Sequence, residues 1–215
     1  MKKIILIVLI SIFLVGCNSS NEVKKDNELL NGNFIITPST MFKSDEMKVL
    51  EPHLNLRTGC VEIQYNGEKK WLSTKYEIWE NGELQNSHEN FAVSIINNKK
   101  DNDFDYNGSI SISINDYLIS DDFHILSDMT MITAIDGSSS KKIIQRYDEK
   151  YSSSIFNLKE QIEVNDTEEV AVWALIGIDD KNGSRYSPKS TIEETVKETD
   201  WALVLKVYFS DDKLN

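Results

Sequence analysis

The feature that most constrains the fold is an alternation of apolar and polar residues with a period of two. Isoleucines alternate with serines over Ser109–Ile114, and apolar residues occupy every second position over Trp201–Phe209. Successive side chains of a β-strand point to opposite faces of the sheet, so this pattern is typical of strands with one buried face. Because the pattern recurs throughout residues 33–215, we expect that stretch to be one β-rich domain.

Short turn signals separate the candidate strands. The dipeptides Asn66-Gly67 and Asn81-Gly82 are preferred in type I′ hairpin turns, because both residue types tolerate a positive φ. Between these turns, Trp71–Trp79 is predicted to be one strand, with Trp71 and Trp79 on the same face. Regular strands and turns favour an all-β fold, a single antiparallel β-sandwich that is immunoglobulin-like or jelly-roll-like, with a β-barrel as the alternative.

The remaining segments complete this coarse plan. Val170–Ile178 is apolar at both sets of alternate positions, which suits a central strand covered on both sides. The apolar residues at 156, 158, 162 and 164 are predicted to share one side of another strand. Helices are limited to short turns, one over Asp45–Leu50 and one opened by the capping-box pattern Ser190-Thr191-Ile192-Glu193.

The chain is strongly acidic, with 35 Asp and Glu against 23 Lys and Arg in 215 residues and a net charge of −12. Nucleic-acid binding depends on basic residues that neutralise phosphates, so nucleic acid is not an expected partner. Anionic lipid headgroups would also repel such a chain. The charge allows a basic protein partner or divalent cations, and the sequence predicts no cofactor.

The first seventeen residues have the layout of a secretory signal. Lys2 and Lys3 precede an apolar run over Ile4–Val15, and a small residue and a cysteine follow. The ending Leu14-Val15-Gly16-Cys17 resembles the lipobox of bacterial lipoproteins. The alternatives are a transmembrane anchor, although the run is shorter than the roughly 20 apolar residues of a spanning helix, and a signal whose cysteine stays unmodified.

The lipobox resemblance implies how the chain is processed and where it is held. Residues 1–16 would be removed as a signal peptide, and the sulfur of Cys17 would receive a diacylglycerol. Residues 17–32 would then be a lipidated cysteine and a flexible tether. This places the domain at the cell membrane, on its extracytoplasmic face, with the acyl chains as its contact with the membrane.

Cys60 is then left without a partner for a disulfide. Its strand-like context favours a buried small hydrophobe over a catalytic thiol. A catalytic thiol would need a nearby base, and the scattered His53, His88 and His124 form no motif with it.

One acidic segment has oxygen ligands at alternate positions, Asp101, Asp103, Asp105 and Asn107, as a calcium loop requires. The likeness to an EF-hand loop is partial, because the sixth position holds Tyr106 instead of Gly and the twelfth holds Ile112 instead of Glu. We therefore expect an acidic hairpin loop with a turn at Asn107-Gly108 and no metal site, with a weak calcium loop as the alternative.

Functional motifs are scarce in the domain. Ser138-Ser139-Ser140-Lys141 matches Ser-x-x-Lys, but the partner motifs of penicillin-binding enzymes and the other common catalytic signatures are missing. Trp71 and Trp79 are candidates for a recognition surface if their strand face is exposed, and structural residues if it is covered. The sequence therefore favours a binding or interaction module, with a surface hydrolase using unidentified carboxylates, or a structural or assembly lipoprotein of the envelope, as alternatives.

Overall fold

The computed structural model describes residues 30–54, 56–95, 99–100, 103–119, 124–134, 138–148, 150–179 and 187–212, with side chains at all of these except 99–100, 116–119, 124–134 and 138–148. The signal segment, Cys17 and most of the tether lie outside the described residues. The described part forms two antiparallel β-sheets that pack face to face and do not close into a barrel. The predicted all-β sandwich is confirmed, and the barrel alternative is wrong.

The chain passes between the two sheets several times. In chain order they are β1 (Asn33–Ser39), α1 (Asp45–Leu50), a 3₁₀ turn (Glu51–His53), β2 (Arg57–Gly67), β3 (Trp71–Glu80), β4 (Glu83–Ser94), β5 (Lys99–Lys100), β6 (Asp103–Ile119), β7 (His124–Ala134), β8 (Ser138–Asp148), β9 (Tyr151–Asn157), β10 (Ile162–Asn165), β11 (Val170–Asp179), α2 (Ile192–Val196) and β12 (Trp201–Ser210). Sheet A has the order β10-β1-β2-β6-β7-β8, with β5 paired to β6. Sheet B has the order β4-β3-β12-β11-β9.

The main core lies between the two sheets. The alternation predicted for β6 and β12 is confirmed, because the isoleucines over Ile110–Ile114 and the alternate residues over Trp201–Phe209 all belong to this core. Phe34 of sheet A meets Phe209 of sheet B edge to face, with ring centroids 5.1 Å apart. Removing apolar surface from water contributes about 25 cal/mol per Å², so these inward faces hold the sheets together.

One of the two predicted hairpin turns is confirmed and the other is wrong. Asn81 and Gly82 have φ values of 51° and 77° and join β3 to β4. Asn66 and Gly67 instead end β2, which pairs with β1 and β6, and the chain then crosses to sheet B. A Cβ on Gly67 would lie 2.4 Å from the Tyr65 hydroxyl oxygen. The absence of a side chain at Gly67 therefore leaves space for the Tyr65 side chain, and does not serve a hairpin turn.

β11 is covered on both faces, as its composition predicts, but a β-bulge changes which residues share a face. Val172 is the extra residue in the pairing with β12, so Val172 and Trp173 both face the main core. From there on the two faces are exchanged relative to strict alternation. Ala174 and Ile176 therefore join a second hydrophobic cluster, which lies between sheet B and α2.

The strand predicted over residues 156–164 is in fact two strands in different sheets. Phe156 lies in β9 of sheet B and belongs to the second cluster. Ile162 and Val164 lie in β10 of sheet A and pack against the main core. The chain crosses the edge of the sandwich between these strands, and this crossing shapes the site described below.

The two helices are as short as expected. Ser44 caps α1 by accepting a hydrogen bond from the backbone N–H of Met47 at 3.2 Å. Thr191 caps α2 by accepting from the backbone N–H of Glu194 at 3.2 Å, so the cap lies one residue later than the sequence pattern predicts. Among the described residues, none of the helices combines the length and apolar content that crossing a membrane requires.

Candidate functional site

An open groove of about 470 Å³ lies at the edge of the sandwich, where the chain crosses from β9 to β10. Three separate stretches line it, at residues 156–164, 168–171 and 190–193. The first includes the crossing and β10, the second leads into β11, and the third leads into α2. A concavity of this volume is within the range of ligand-binding sites.

The groove is lined mainly by apolar side chains and joins the two hydrophobic clusters of the domain. Residues from the main core and from the cluster under α2 meet here. Phe156, Val170, Ala171 and Ile192 are buried, so an apolar group placed in the groove would remove surface mainly of Leu158, Ile162 and Val164 from water. The apolar lining residues are Phe156, Leu158, Ile162, Val164, Val170, Ala171 and Ile192.

Charged residues around the groove are mostly acidic. Glu193 accepts a hydrogen bond from the backbone N–H of Ala171 at 3.3 Å. Glu168 accepts from the backbone N–H of Asn165 at 3.3 Å, and Glu169 forms an ion pair with Lys75. Glu160 has no comparable partner within the part of the chain that the structure describes. The charged lining residues are the carboxylates Glu160, Glu168, Glu169 and Glu193 and the ammonium Lys159.

Lys159 bridges two sides of the groove. Its Nζ lies 4.5 Å from the centroid of the Phe156 ring, within reach of a cation–π interaction. The same Nζ donates to the backbone carbonyl of Lys189 at 3.4 Å. Lys159 is exposed, so this contact is weak, and a ligand can displace it at small cost.

The two strands beside the groove are sheet edges. β9 pairs with β11 on one side and β10 pairs with β1, and neither has a second partner strand among the described residues. Ile162 and Val164 of β10 line the groove, whereas Glu163 points away and accepts from the side-chain amide of Asn33 at 3.0 Å. The outward-facing backbone groups of Asn165 are bonded to Glu168, so the N–H and C=O of Glu163 are the groups of β10 that face outward without a strand partner in the described part.

The capping residues of α2 hold the far side of the groove in place. The Ser190 hydroxyl donates to the Glu194 carboxylate at 2.8 Å, and the Thr195 hydroxyl accepts from the backbone N–H of Lys189 at 3.0 Å. Ile192 and Val196 are buried against sheet B, which fixes the position of the helix.

Trp71 and Trp79 share a face of β3, as predicted, but neither lines the groove. Trp79 is half-buried against the cluster under α2, and its Nε1 donates to the carboxylate of Glu77 at 3.0 Å. Trp71 is half-buried at the other end of the strand. Eight residues of strand separate the two indoles by about 26 Å, so they do not form one recognition surface.

The prediction of a hairpin loop in the acidic segment is wrong from Asp103 onwards. Strand β6 begins at Asp103 and continues through Gly108 without a turn. Phe104 and Tyr106 are buried, and the oxygen-bearing side chains of Asp103, Asp105 and Asn107 alternate with them on the outer face. Such neighbours lie about 6.6 Å apart along a strand. Asp103 accepts from the side chain of Asn31 at 3.1 Å. Asp101 lies outside the described residues, which contain no cluster of three metal-ligating side chains.

Cys60 lies in a strand, β2, as expected, but its side chain is half-buried rather than buried. Burial raises the pKa of its thiol more than the Ser39 hydrogen bond and the nearby Lys43 lower it. A smaller cavity of about 310 Å³ lies beside it, between the start of β2 and β9. His53 is exposed on the 3₁₀ turn, and His124 and the Ser138–Lys141 side chains lie outside the described part.

A second apolar surface lies on α1 and the turn after it. The helix buries none of its residues. Met47, Val49, Leu50 and Leu54 expose between 44% and 68% of their surface. This surface follows the Ser39 end of β1 in the chain and shares no residue with the groove.

Comparison with known proteins gives no family: no protein-family model, no curated protein and no solved structure matches the chain significantly. The groove residues were not identified from the sequence. Phe156, Glu168 and Ile192 belong to three segments that the period-two pattern treats independently, and no motif connects them. The one available signal was the break in alternation between Leu158 and Ile162, where the chain changes sheets.

Proposed function

We propose that the domain is a binding module that takes an apolar ligand in the edge groove, and that an acylated Cys17 holds it at the extracytoplasmic face of a membrane. The observation that carries the binding role is an apolar lining that remains open beside two edge strands. A concavity lined by apolar side chains with a few polar groups at its rim is the common form of a ligand-binding site. The lipobox resemblance of Leu14–Cys17 supports the anchored location.

The contacts of the groove carboxylates favour binding over hydrolysis. A hydrolase that uses carboxylates needs two of them converging on one bond, one as an acid and one as a base or nucleophile. Here Glu193 is bound to a backbone N–H, and Glu169 is paired with Lys75. These contacts position the side chains around an apolar lining, which suits recognition of a ligand.

The binding role can be tested with Nile red, a neutral dye whose emission increases in apolar surroundings. We expect the purified mature chain to bind the dye, and Val164→Trp, which fills the groove with a larger apolar side chain, to weaken binding at least about tenfold. Leu158→Gln, which makes the lining polar, should act in the same direction. Leu50→Ser is the matched control, because it removes exposed apolar surface on α1 and leaves the groove unchanged.

Circular dichroism and urea unfolding establish which variants keep the native fold. If both folded groove variants bind the dye as tightly as the unmodified chain, the groove is not the site. Loss of dye binding in Leu50→Ser alone would assign it to the surface of α1.

A further inference from the structure

The acidic rim of the groove restricts the charge of what binds there. Four carboxylates and one ammonium line it, and Glu160 has no partner among the described residues. Opposite charges at the rim of an interface favour association and select the partner, while like charges are rejected. A ligand with positive charges beside apolar groups therefore complements this surface.

The shape of the groove restricts the conformation of the ligand. The outer side of β10 has no strand partner among the described residues, and its alternate residues Ile162 and Val164 line the groove. An extended segment that pairs with this edge can bond to the outward N–H and C=O of Glu163 and places every second side chain on the groove side. β10 is four residues long, or about 13 Å, so about two side chains of the added segment would enter the groove.

From these two observations we propose that the natural ligand is a basic, apolar segment of another protein, bound in extended conformation along β10. Its apolar side chains would lie against Ile162, Val164 and Ile192. Lysines or arginines towards its two ends would reach Glu160 and Glu168, which lie in the chain just before and just after β10. This inference rests on the proposed binding function and adds the class of partner and the mode of binding.

Three blocked hexapeptides with the same apolar residues test the charge requirement: KLKVKL, QLQVQL and ELEVEL. We expect the full mature chain to bind KLKVKL about tenfold more tightly than QLQVQL at low ionic strength, and ELEVEL most weakly. The preference should shrink in 0.5 M salt, because screening weakens exposed ion pairs. Glu160→Gln/Glu168→Gln should remove most of it, whereas Glu46→Gln/Glu83→Gln, which changes exposed carboxylates elsewhere, should keep it.

N-methylation tests the added strand. Methyl groups on the amides along one edge of KLKVKL should abolish binding, and methyl groups on the opposite edge should be tolerated, because only one edge of the peptide can pair with β10. If methylation of either edge has the same effect, the peptide is not an added strand.

The outcomes separate this inference from the binding function itself. If the chain binds Nile red in the groove but binds KLKVKL and QLQVQL equally, or neither, the basic-segment proposal is overturned and the apolar binding role stands. Lys24 and Lys25 are basic residues of the predicted tether, residues 17–32. If Lys24→Gln/Lys25→Gln tightens binding of KLKVKL in 0.5 M salt, where the change in net charge is screened, the groove belongs to the chain's own N-terminal segment, and a separate partner protein is contradicted.

Discussion

The ring of Tyr65 in sheet A stacks on the ring of Phe209 in sheet B, with centroids 3.9 Å apart and an angle of 18° between the planes. The Tyr65 hydroxyl also donates to the buried carboxylate of Asp166 at 2.9 Å and accepts from the backbone N–H of Lys69 at 2.8 Å. One side chain therefore joins the two sheets and fixes both the turn after β10 and the crossing after β2. The turn after β10 leads to Glu168 and Glu169, so Tyr65 helps to position the acidic side of the groove.

Tyr65→Phe should lower the free energy of unfolding by about 1–3 kcal/mol, because it leaves the Asp166 carboxylate and the Lys69 N–H without their partner. Urea unfolding at neutral pH measures this. Tyr208→Phe is the control, since the Tyr208 hydroxyl bonds to Glu89 in an exposed contact and its loss should cost less than about 1 kcal/mol. Equal losses in the two variants would contradict the role given to Tyr65.

Tyr106→Phe should have the opposite sign. Its hydroxyl is buried with no hydrogen-bond partner among the described residues, and removing a buried unsatisfied polar group relieves a desolvation cost. We expect the free energy of unfolding to rise by about 1 kcal/mol, measured by the same urea method. A loss as large as that of Tyr65→Phe would show that the Tyr106 hydroxyl has a stabilising partner.

The buried tyrosines also predict an alkaline loss of stability. Burial raises the pKa of Tyr65 and Tyr106 well above the usual value of about 10. The folded state therefore favours the protonated tyrosines. Their contribution to the free energy of unfolding is complete below pH about 10, the pKa in the unfolded chain, and is lost as the pH rises from there through the folded-state pKa. The urea midpoint should therefore fall between pH 9 and pH 11, and Tyr106→Phe should reduce the fall. An unchanged fall in that variant would rule out Tyr106 as a source.

Gly59→Ala tests the contact between the sheets on the other side of the core. A Cβ at Gly59 would lie 2.3 Å from Cδ1 of Trp173, so the substitution should cost about 1–3 kcal/mol. Trp173→Phe frees that space without breaking a hydrogen bond to the described part of the chain, where Nε1 of Trp173 has no partner. The double variant should lose less free energy than the sum of the single losses. Additive losses would mean that the added methyl group at position 59 does not clash with the Trp173 ring.

Membrane anchoring can be tested through Cys17. Cys17→Ser should abolish metabolic labelling with a radioactive fatty acid and either release the protein into the medium or leave it uncleaved. Cys60→Ser is the control and should be labelled like the unmodified chain. Equal labelling of the Cys17→Ser variant and the unmodified chain would contradict lipidation at this residue.

The sequence predicts the fold class well because alternation reports burial on one face of a strand, a local property. It fails where tertiary pairing decides the outcome. Asn66-Gly67 has the composition of a hairpin turn, yet β2 continues through it, since β1 and β6 extend alongside. The bulge at Val172 is equally invisible, because either face assignment leaves apolar residues on both sides of β11.

The candidate site was less accessible from the sequence for a related reason. Ile162 and Ile192 become neighbours of one groove only because the chain changes sheets after Asn157 and because α2 packs on the outside of sheet B. Trp71 and Trp79 drew attention as large aromatic residues on one face, but their spacing along β3 keeps them apart. Residue type alone could not identify a site that depends on how distant segments meet.

Methyl NMR of the mature chain during titration with KLKVKL tests the central claim most directly. With isoleucine, leucine and valine methyl groups labelled, we expect saturable shifts at Ile162, Val164 and Ile192, and none at Val49, Leu50 and Leu54 on α1 and the turn after it. Shifts confined to α1, or no saturable shift at the groove residues, would contradict the claim that this edge groove is the binding site.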